Sequence, residues 1–286
     1  MRLSIFVLPF LLFCNTQFAT AQTHKPYTID RSEVLDIHST ANGQDYQLYI
    51  KLPSTYAQNP NKKYPLVLLN DGPYAFPLVS SVVLRMSEVH HEFEEPIIVG
   101  ISFSKGDIFP ISRTRDYTPT NVPPKAGDEN VEAKKQSGQS AKYVQFLAQE
   151  VMPLLLKNYR VNETKKIFVG HSYGGLLGGY ILVTQPTLFD YYLIGSPSFG
   201  YDKKVIFNME AEYAKSHKDM PAKVLMITGG KETDMLPNMF AFEKALQSRH
   251  YPKLSISAKV LDHESHLSGF PSFVTDGLLW ALPLHP

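Results

Sequence analysis

Apolar runs of strand length alternate along this chain with longer segments in which apolar residues recur at helical spacing. Several runs, such as "PLVLLN", "PIIVGIS" and "KVLMITGG", are almost continuous in apolar residues, which is typical of strands buried on both faces of a parallel sheet. The predicted strands are Glu33–His38, Tyr46–Leu52, Tyr64–Asn70, Pro96–Ser102, Lys166–Gly170, Tyr191–Gly195, Val224–Thr228 and Leu254–Leu261. Strands and helices in alternation indicate an α/β fold with a mostly parallel sheet.

The first two predicted strands differ from the rest, because a turn signal at Asn42-Gly43 favours an antiparallel hairpin between them. A helix is predicted over Ala141–Tyr159, where apolar residues share one face, and Pro153 predicts a kink in it. Two later helices are predicted at Met239–Arg249 and Phe273–Leu282.

One long segment, residues 103–136, shows no clear periodicity. A loop of that length inside a compact domain is usually functional or disordered. Since it follows a strand, we expect it to form a wall of an active site.

The amino terminus has the features of a secretory signal peptide. Arg2 precedes an apolar run from Ile5 to Phe13, and Ala19-Thr20-Ala21 is a typical cleavage site. The run is shorter than the roughly 18 apolar residues that a membrane-spanning helix needs. We therefore expect residues 1–21 to be removed and residues 22–286 to form one domain that is secreted or periplasmic.

Cys14 provides a competing interpretation of the same segment, because a cysteine after an apolar run is where a lipid attaches to a lipoprotein. Phe13, however, is bulky where a small residue is expected before such a cysteine. Cys14 is the only cysteine of the chain, so the cleaved protein would have no disulfide.

The charge balance argues against two classes of partner. The chain has 28 Lys and Arg residues and 27 Asp and Glu residues, and the loss of Arg2 with the signal peptide leaves 27 of each. A neutral chain gives no electrostatic footprint for nucleic acid or for an anionic membrane. We expect a small-molecule substrate, no nucleic-acid partner and no membrane attachment after signal cleavage; the sequence specifies no oligomeric state.

The motif Gly170-His171-Ser172-Tyr173-Gly174 follows a predicted strand and precedes a helix-compatible run, "GGLLGGYILV". This is the context of a nucleophile elbow, in which glycines allow the tight turn that presents the serine. The N–H of Tyr173 would then be one donor to the oxyanion. His171 is interpreted as a packing residue, since a side chain beside the serine points elsewhere in such a turn.

A serine nucleophile needs a histidine base, which in turn needs a carboxylate to orient it. In α/β-hydrolases both follow the serine, in the order acid and then histidine. His263 and His266 lie just past the last predicted strand, and Glu232 and Asp234 follow the strand before it. A metal site at the two histidines lacks a clear third ligand. The residues themselves leave two candidates for each role.

Four segments carry a resemblance to a known family: "VLLNDGPYAFP", "RTRDYTPT", "FLAQEVMPLLLKNYRVNETKKIFVGHSYGGLLGGYILVTQPTLFDYYLIGSPS" and "ESHLSGFPSFVTDGLLW". In this order they resemble the esterase D-like family of α/β-hydrolases, which includes siderophore esterases, feruloyl esterases and mycolyltransferases. The resemblance covers nearly all of the chain after residue 21. It implies a mostly parallel eight-stranded sheet flanked by helices.

By position, the resemblance makes Ser172 the nucleophile, His266 the base and Glu232 the acid, with His263 and Asp234 second. A ring nitrogen of His266 is then expected within about 3.5 Å of the Ser172 hydroxyl. No metal or organic cofactor is implied.

The family takes its second oxyanion donor from the loop after the third strand, here "NDGPYAF". This chain departs from the family there, because Pro73 has no N–H to donate. The N–H of Tyr74 is the replacement that we predict.

The implied activity is carboxylic-ester hydrolysis by a serine esterase, with siderophore esters of the catecholate trilactone type as one substrate class. Arg113 and Arg115 match the family's R-x-R-D-x-x-P segment and could face an anionic catecholate, or Arg115 could pair with Asp116 to hold the loop. A feruloyl or acetyl esterase acting on carbohydrate esters is the alternative enzyme. A non-catalytic ligand-binding protein on a hydrolase scaffold is the alternative of another class.

Overall fold

The computed structural model describes residues 25–284; the predicted signal peptide, residues 1–21, lies outside them. An eight-stranded sheet has the strand order β1-β2-β4-β3-β5-β6-β7-β8. The strands are β1 (Ser32–His38), β2 (Asp45–Lys51), β3 (Tyr64–Leu69), β4 (Ile97–Ile101), β5 (Val161–His171), β6 (Tyr191–Gly195), β7 (Ala222–Gly229) and β8 (Leu254–Leu261).

The pairing within the sheet confirms the mostly parallel arrangement that the apolar runs predict. Strands β1 and β2 form the predicted antiparallel hairpin, and β2 is also antiparallel to β4. Every other neighbouring pair is parallel. Gly43 in the hairpin loop has a φ of 70°, a left-handed conformation that glycine adopts without strain.

Helices cover both faces of the sheet. They are α1 (Gly72–Val82), α2 (Phe109–Tyr117), α3 (Val131–Lys135), α4 (Ser140–Phe146), α5 (Met152–Asn158), α6 (Tyr173–Leu182), α7 (Tyr201–Ser216), α8 (Leu236–Gln247) and α9 (Gly269–Ala281). Alternate strand residues enter opposite cores: Leu66 and Leu68 of β3 pack with α4 to α8, whereas Val67 and Leu69 pack with α1 and α9. Both faces are therefore apolar, which explains why the central strands lack polar alternation.

The helix predicted over residues 141–159 is divided in the structure. Helix α4 passes into a π-helical turn at Leu147–Val151, and α5 begins at Met152 with Pro153 as its second residue. Since proline has no N–H to donate, the regular hydrogen-bond ladder is interrupted at this point. The predicted distortion at Pro153 is thus present as a wider turn.

Helices α2 and α3 lie within residues 103–136, which the sequence predicts as a loop. Helix α2 is not predicted from the sequence, because its buried side includes Arg113, Arg115 and Asp116. It therefore lacks the apolar stripe by which an amphipathic helix is recognised. Among residues 25–284, no helix is long and apolar enough to cross a membrane.

Candidate active site

Ser172 occupies a sharp turn between the end of β5 and the start of α6. Its backbone angles are φ 61° and ψ −116°, a conformation that residues other than glycine rarely adopt. A Cβ at Gly170 would lie 2.2 Å from the carbonyl oxygen of Gly174, so the approach of the two chain segments requires glycine there. The turn has the strand, strained serine and helix that a nucleophile elbow needs.

Glu232 and His266 form a hydrogen-bonded pair beside this turn. The Glu232 Oε2 atom lies 2.5 Å from Nδ1 of His266. The other carboxylate oxygen, Oε1, accepts hydrogen bonds from the Ser196 hydroxyl at 2.6 Å and from the Gly229 N–H at 2.9 Å. With Nδ1 engaged, the second ring nitrogen of His266 is the one free to act on a serine.

The two reserve candidates, Asp234 and His263, are both exposed, and Asp234 lines a second pocket together with Glu232 and His266. Only 6% of the Glu232 side chain is exposed, and its two oxygens are held by three partners. The structure therefore brings together Glu232 and His266, while their catalytic roles remain predictions.

Ser172 and His266 line the same cavity, which has a volume of about 390 Å³. Its wall consists of Tyr74, Phe109, Arg113, His171, Ser172, His266, Leu267 and Phe270. The expected hydrogen bond between the Ser172 hydroxyl and His266 is not formed among the described residues, where the side-chain hydrogen bond of His266 is to Glu232. Such contacts are often long in an unliganded site and shorten in the complex with substrate.

His171 is a buried packing residue, as the sequence predicts. Its ring packs against His266, Phe270 and Phe273. The pKa of His171 is lowered to about 3, mainly by burial and to a smaller extent by the charges of His266 and Arg113. His171 is therefore neutral at ordinary pH.

The two predicted oxyanion donors differ in their surroundings. Tyr173 is the first residue of α6, where N–H groups have no acceptor within the helix. The N–H of Tyr74 instead donates to the carbonyl oxygen of Asp71 at 3.2 Å. The geometry argues against Tyr74 as the second donor, because Tyr74 is the third residue of α1 and its N–H closes the first turn of that helix. Tyr74 contributes its ring to the cavity wall instead.

Arg113 and Arg115 project from the same helix, α2, into different surroundings. Arg113 lines the cavity and makes a bidentate ion pair with Asp71, at 2.6 Å and 3.1 Å. Arg115 is buried and is absent from the cavity wall formed by the described residues. Its guanidinium donates to Asp116, Asp107 and Ser104. This geometry gives no support to a contact between Arg115 and substrate. It agrees with the alternative that Arg115 pairs with Asp116 and holds the loop in place.

Asp71 and Ser196 are two site residues that sequence reasoning does not identify. Ser196 holds Glu232 from the end of β6, and Asp71 anchors Arg113 from the end of β3. Both follow a strand in the chain and both have positive φ, 39° for Ser196 and 58° for Asp71. A polar residue directly after a buried parallel strand is the signal that could have pointed to them.

Comparison with known proteins identifies the family. The Esterase family, described as "Putative esterase", matches residues 39–267. "Ferri-bacillibactin esterase BesA" of Bacillus subtilis is 26% identical over 282 residues, which are 95% of this chain and 96% of that protein. "Siderophore enterobactin esterase" of Emericella nidulans is 31% identical over 171 residues, 56% of each chain.

The fold comparison agrees. The crystal structure of the BES protein from Bacillus cereus superposes with a TM-score of 0.78 at 24% identity, and the match covers 93% of this chain and 99% of that one. The eight-stranded, mostly parallel sheet is therefore that of an α/β-hydrolase. Since the family match spans most of the chain, this protein belongs to the Esterase family and is a serine esterase.

Proposed function

We propose that this protein is an exported esterase that hydrolyses siderophore esters of the catecholate trilactone type with a Ser172–His266–Glu232 triad. The observation that carries the triad is that His266, which is hydrogen-bonded to Glu232, lines the same cavity as Ser172. The substrate class rests on the likeness to "Ferri-bacillibactin esterase BesA", which covers 95% of this chain, and on a match over 56% of the chain to "Siderophore enterobactin esterase".

The reaction has two steps. His266 takes the proton of the Ser172 hydroxyl while the serine oxygen attacks the ester carbonyl, and backbone N–H groups at the start of α6 stabilise the oxyanion. His266 returns the proton to the departing alcohol, which leaves an acyl enzyme. Water then attacks the acyl group by the same route and restores Ser172. Glu232 keeps Nδ1 of His266 protonated throughout.

The cavity lining favours an ester with an aromatic group. Tyr74 and Phe270 meet edge to face with ring centres 5.5 Å apart, and Phe109 is 46% exposed at the same cavity. Leu267, next to the base, is 81% exposed. Exposed apolar side chains around a site of this kind provide the surface that a catechol or a similar ring covers.

A volume of about 390 Å³ also suits a single aromatic acyl group, which keeps a feruloyl ester as the second candidate substrate. The two candidates differ in the alcohol that leaves, which is a hydroxyl of the trilactone ring in one case and a sugar hydroxyl in the other.

A substrate panel tests the proposal. Purified protein would be incubated with iron-free and ferric catecholate trilactones, feruloylated sugars and p-nitrophenyl esters, with Ser172→Ala as the control for background hydrolysis. We expect Ser172-dependent opening of a trilactone with a kcat/KM at least tenfold above that for the feruloyl ester. A higher kcat/KM for the feruloyl ester than for the trilactone would identify the protein as a feruloyl esterase instead. Tight binding of a trilactone with no cleavage of any ester would favour a binding protein.

Export is the second part of the proposal. We expect the mature chain to begin near Gln22, after cleavage at Ala21, and to contain no thiol, because Cys14 leaves with the signal peptide. Amino-terminal sequencing of the exported protein tests this. A chain that starts at Cys14 with an attached lipid would establish the lipoprotein alternative.

A further inference from the structure

The guanidinium of Arg113 connects the two loops that border the Ser172 cavity. Its Nε and Nη2 atoms donate to the carboxylate of Asp71, at 2.6 Å and 3.1 Å. Nη2 also donates to the main-chain carbonyl oxygen of His171 at 3.3 Å. Asp71 is the second residue of the short loop Asn70-Asp71 between β3 and α1 (the Asp71 loop), and His171 directly precedes Ser172 in the elbow. One side chain thus ties both loops together.

Asp71 is held firmly at its end of this connection. It caps α1 in a left-handed conformation, with φ 58° and ψ 40°, and it is 2% exposed. Its N–H donates to the hydroxyl of Tyr117 at 3.2 Å, and its Oδ2 accepts from the hydroxyl of Tyr74 at 2.9 Å. A residue fixed from several sides transmits a shift of Arg113 to the backbone of the loop.

The carboxylate of Asp71 also lies close to the start of α6. A Cβ added at Gly174 would be 3.7 Å from Asp71 Oδ2, so the negative charge is near the N–H groups that receive an oxyanion. An unpaired carboxylate there would oppose the developing negative charge. Burial acts to lower the pKa of Arg113, but the charge of Asp71 outweighs it and raises that pKa, so Arg113 keeps its positive charge.

We propose that Arg113 is a positioning residue for ester hydrolysis: it sets the separation of the Asp71 loop and the Ser172 elbow, and it cancels the charge of Asp71 beside the oxyanion site. This inference rests on the proposed role of Ser172. It differs from the substrate contact that the family resemblance implies for Arg113, because a bidentate pair with Asp71 leaves little net charge to attract an anionic substrate.

The two roles predict different kinetics. A positioning residue acts on every ester, so Arg113→Met should lower kcat about 100-fold for a neutral p-nitrophenyl ester and for one with a carboxylate on its acyl group. The KM values should change less than about threefold. The rate of inactivation by a fluorophosphonate should fall in parallel, since that reaction needs the same oxyanion site.

Asp71 provides the matched second variant. If Arg113 cancels the charge of Asp71, then Asp71→Asn should offset part of the loss, and the double variant Asp71→Asn/Arg113→Met should have a kcat roughly tenfold above that of Arg113→Met. Because the double variant buries no unpaired charge, it should fold even if Arg113→Met does not. Thermal melting of each variant would verify folding before the kinetics.

The possible outcomes are distinguishable. If Arg113→Met only raises the KM for the carboxylated ester, Arg113 contacts the substrate and the inference is overturned. A kcat for the neutral ester that is unchanged in Arg113→Met, or no higher in the double variant than in a folded Arg113→Met, would also overturn it. If Arg113→Met does not fold, a double variant with a kcat within about tenfold of the unsubstituted protein supports the inference, and a larger loss overturns it. An unsubstituted protein that cleaves no ester would instead remove the proposed function.

Discussion

The imidazole rings of His171 and His266 pack against each other with their centres 4.6 Å apart and their planes at 43°. His171 is 6% exposed, and its Nε2 has no hydrogen-bond partner in the described part of the chain. Because burial lowers the pKa of His171 to about 3, its ring adds no positive charge beside His266 when that residue takes a proton from Ser172. The arrangement favours catalysis but makes the fold sensitive to acid.

The first prediction concerns that sensitivity. The pKa of His171 falls from an ordinary 6.5 to about 3 on folding, so between these values the unfolded chain binds the proton and the folded chain does not. Above pH 6.5 His171 is neutral in both states and does not reduce the free energy of unfolding. As the pH falls from 6.5 toward 3, protonation of His171 in the unfolded chain lowers the free energy of unfolding progressively. The free energy of unfolding should therefore drop by roughly 2–3 kcal/mol from this group between pH 6.5 and 4.5.

Urea unfolding at several pH values measures this contribution. His171→Gln removes the titrating ring, so the curve of its unfolding free energy against pH should be flatter in this window than that of the unsubstituted protein. Arg113 and His266 are the charged or titratable groups that face His171, and both are retained. His263→Gln, at an exposed position, is the control and should leave the curve unchanged. Parallel curves for His171→Gln and the unsubstituted protein would contradict the assignment.

The second prediction distinguishes the two candidate bases. His266→Gln should lower kcat by about 10⁴-fold or more, because His266 is the residue that lines the cavity with Ser172 and is also hydrogen-bonded to Glu232. His263→Gln should change kcat less than about threefold, since that ring is exposed. Steady-state kinetics with one p-nitrophenyl ester compares them. Comparable losses in both variants would mean that the loop rearranges when substrate binds.

The third prediction concerns the acid. In Glu232→Gln the amide oxygen can still accept from Ser196 and Gly229, which leaves the amide NH₂ facing Nδ1 of His266. Nδ1 would then have to accept, so the proton would move to the nitrogen needed as the base. We expect kcat to fall by about 10²–10⁴-fold, less than for loss of the histidine.

Asp234→Asn is the matched control for Glu232→Gln, because Asp234 lies two residues away and is exposed. Its kcat should stay within about threefold of that of the unsubstituted protein. If Asp234→Asn were the more damaging change, the acid would have to be reassigned while the base remained.

Strands β3 to β7 could be predicted from sequence because a strand buried on both faces must be apolar throughout, as "PLVLLN" and "KVLMITGG" are. Ser172 could be predicted because the glycines of the elbow are needed by the backbone itself. The resemblance, by contrast, was needed to favour His266 and Glu232 over their neighbours, because residue type alone does not fix which of two close side chains faces a serine.

The pair between Arg113 and Asp71 could not be predicted, whereas the pair between Arg115 and Asp116 was one of two interpretations that the sequence allowed. Arg113 and Asp71 are 42 residues apart in the chain, and their contact depends on how α2 packs against the end of β3. A sequence pattern treats Arg113, Arg115 and Asp116 as surface residues, so it hides the helix that carries them. The sequence did not predict the start of α1, where the N–H of Tyr74, the predicted second oxyanion donor, donates to the carbonyl oxygen of Asp71.

The last prediction uses the strain at Ser172, whose φ of 61° and ψ of −116° are unfavourable for any residue with a Cβ but are accessible to glycine. Such strain costs about 1–3 kcal/mol, and glycine gives back roughly 0.5–1 kcal/mol through the extra freedom of the unfolded chain. Ser172→Ala and Ser172→Gly should both abolish ester hydrolysis, because both remove the hydroxyl. Only Ser172→Gly removes the Cβ, so its free energy of unfolding should exceed that of Ser172→Ala by about 1 kcal/mol, as measured by urea titration at neutral pH. Equal free energies of unfolding in the two variants would mean that the backbone at this turn relaxes when the side chain is shortened. Ester hydrolysis by either variant would show that Ser172 is not the nucleophile.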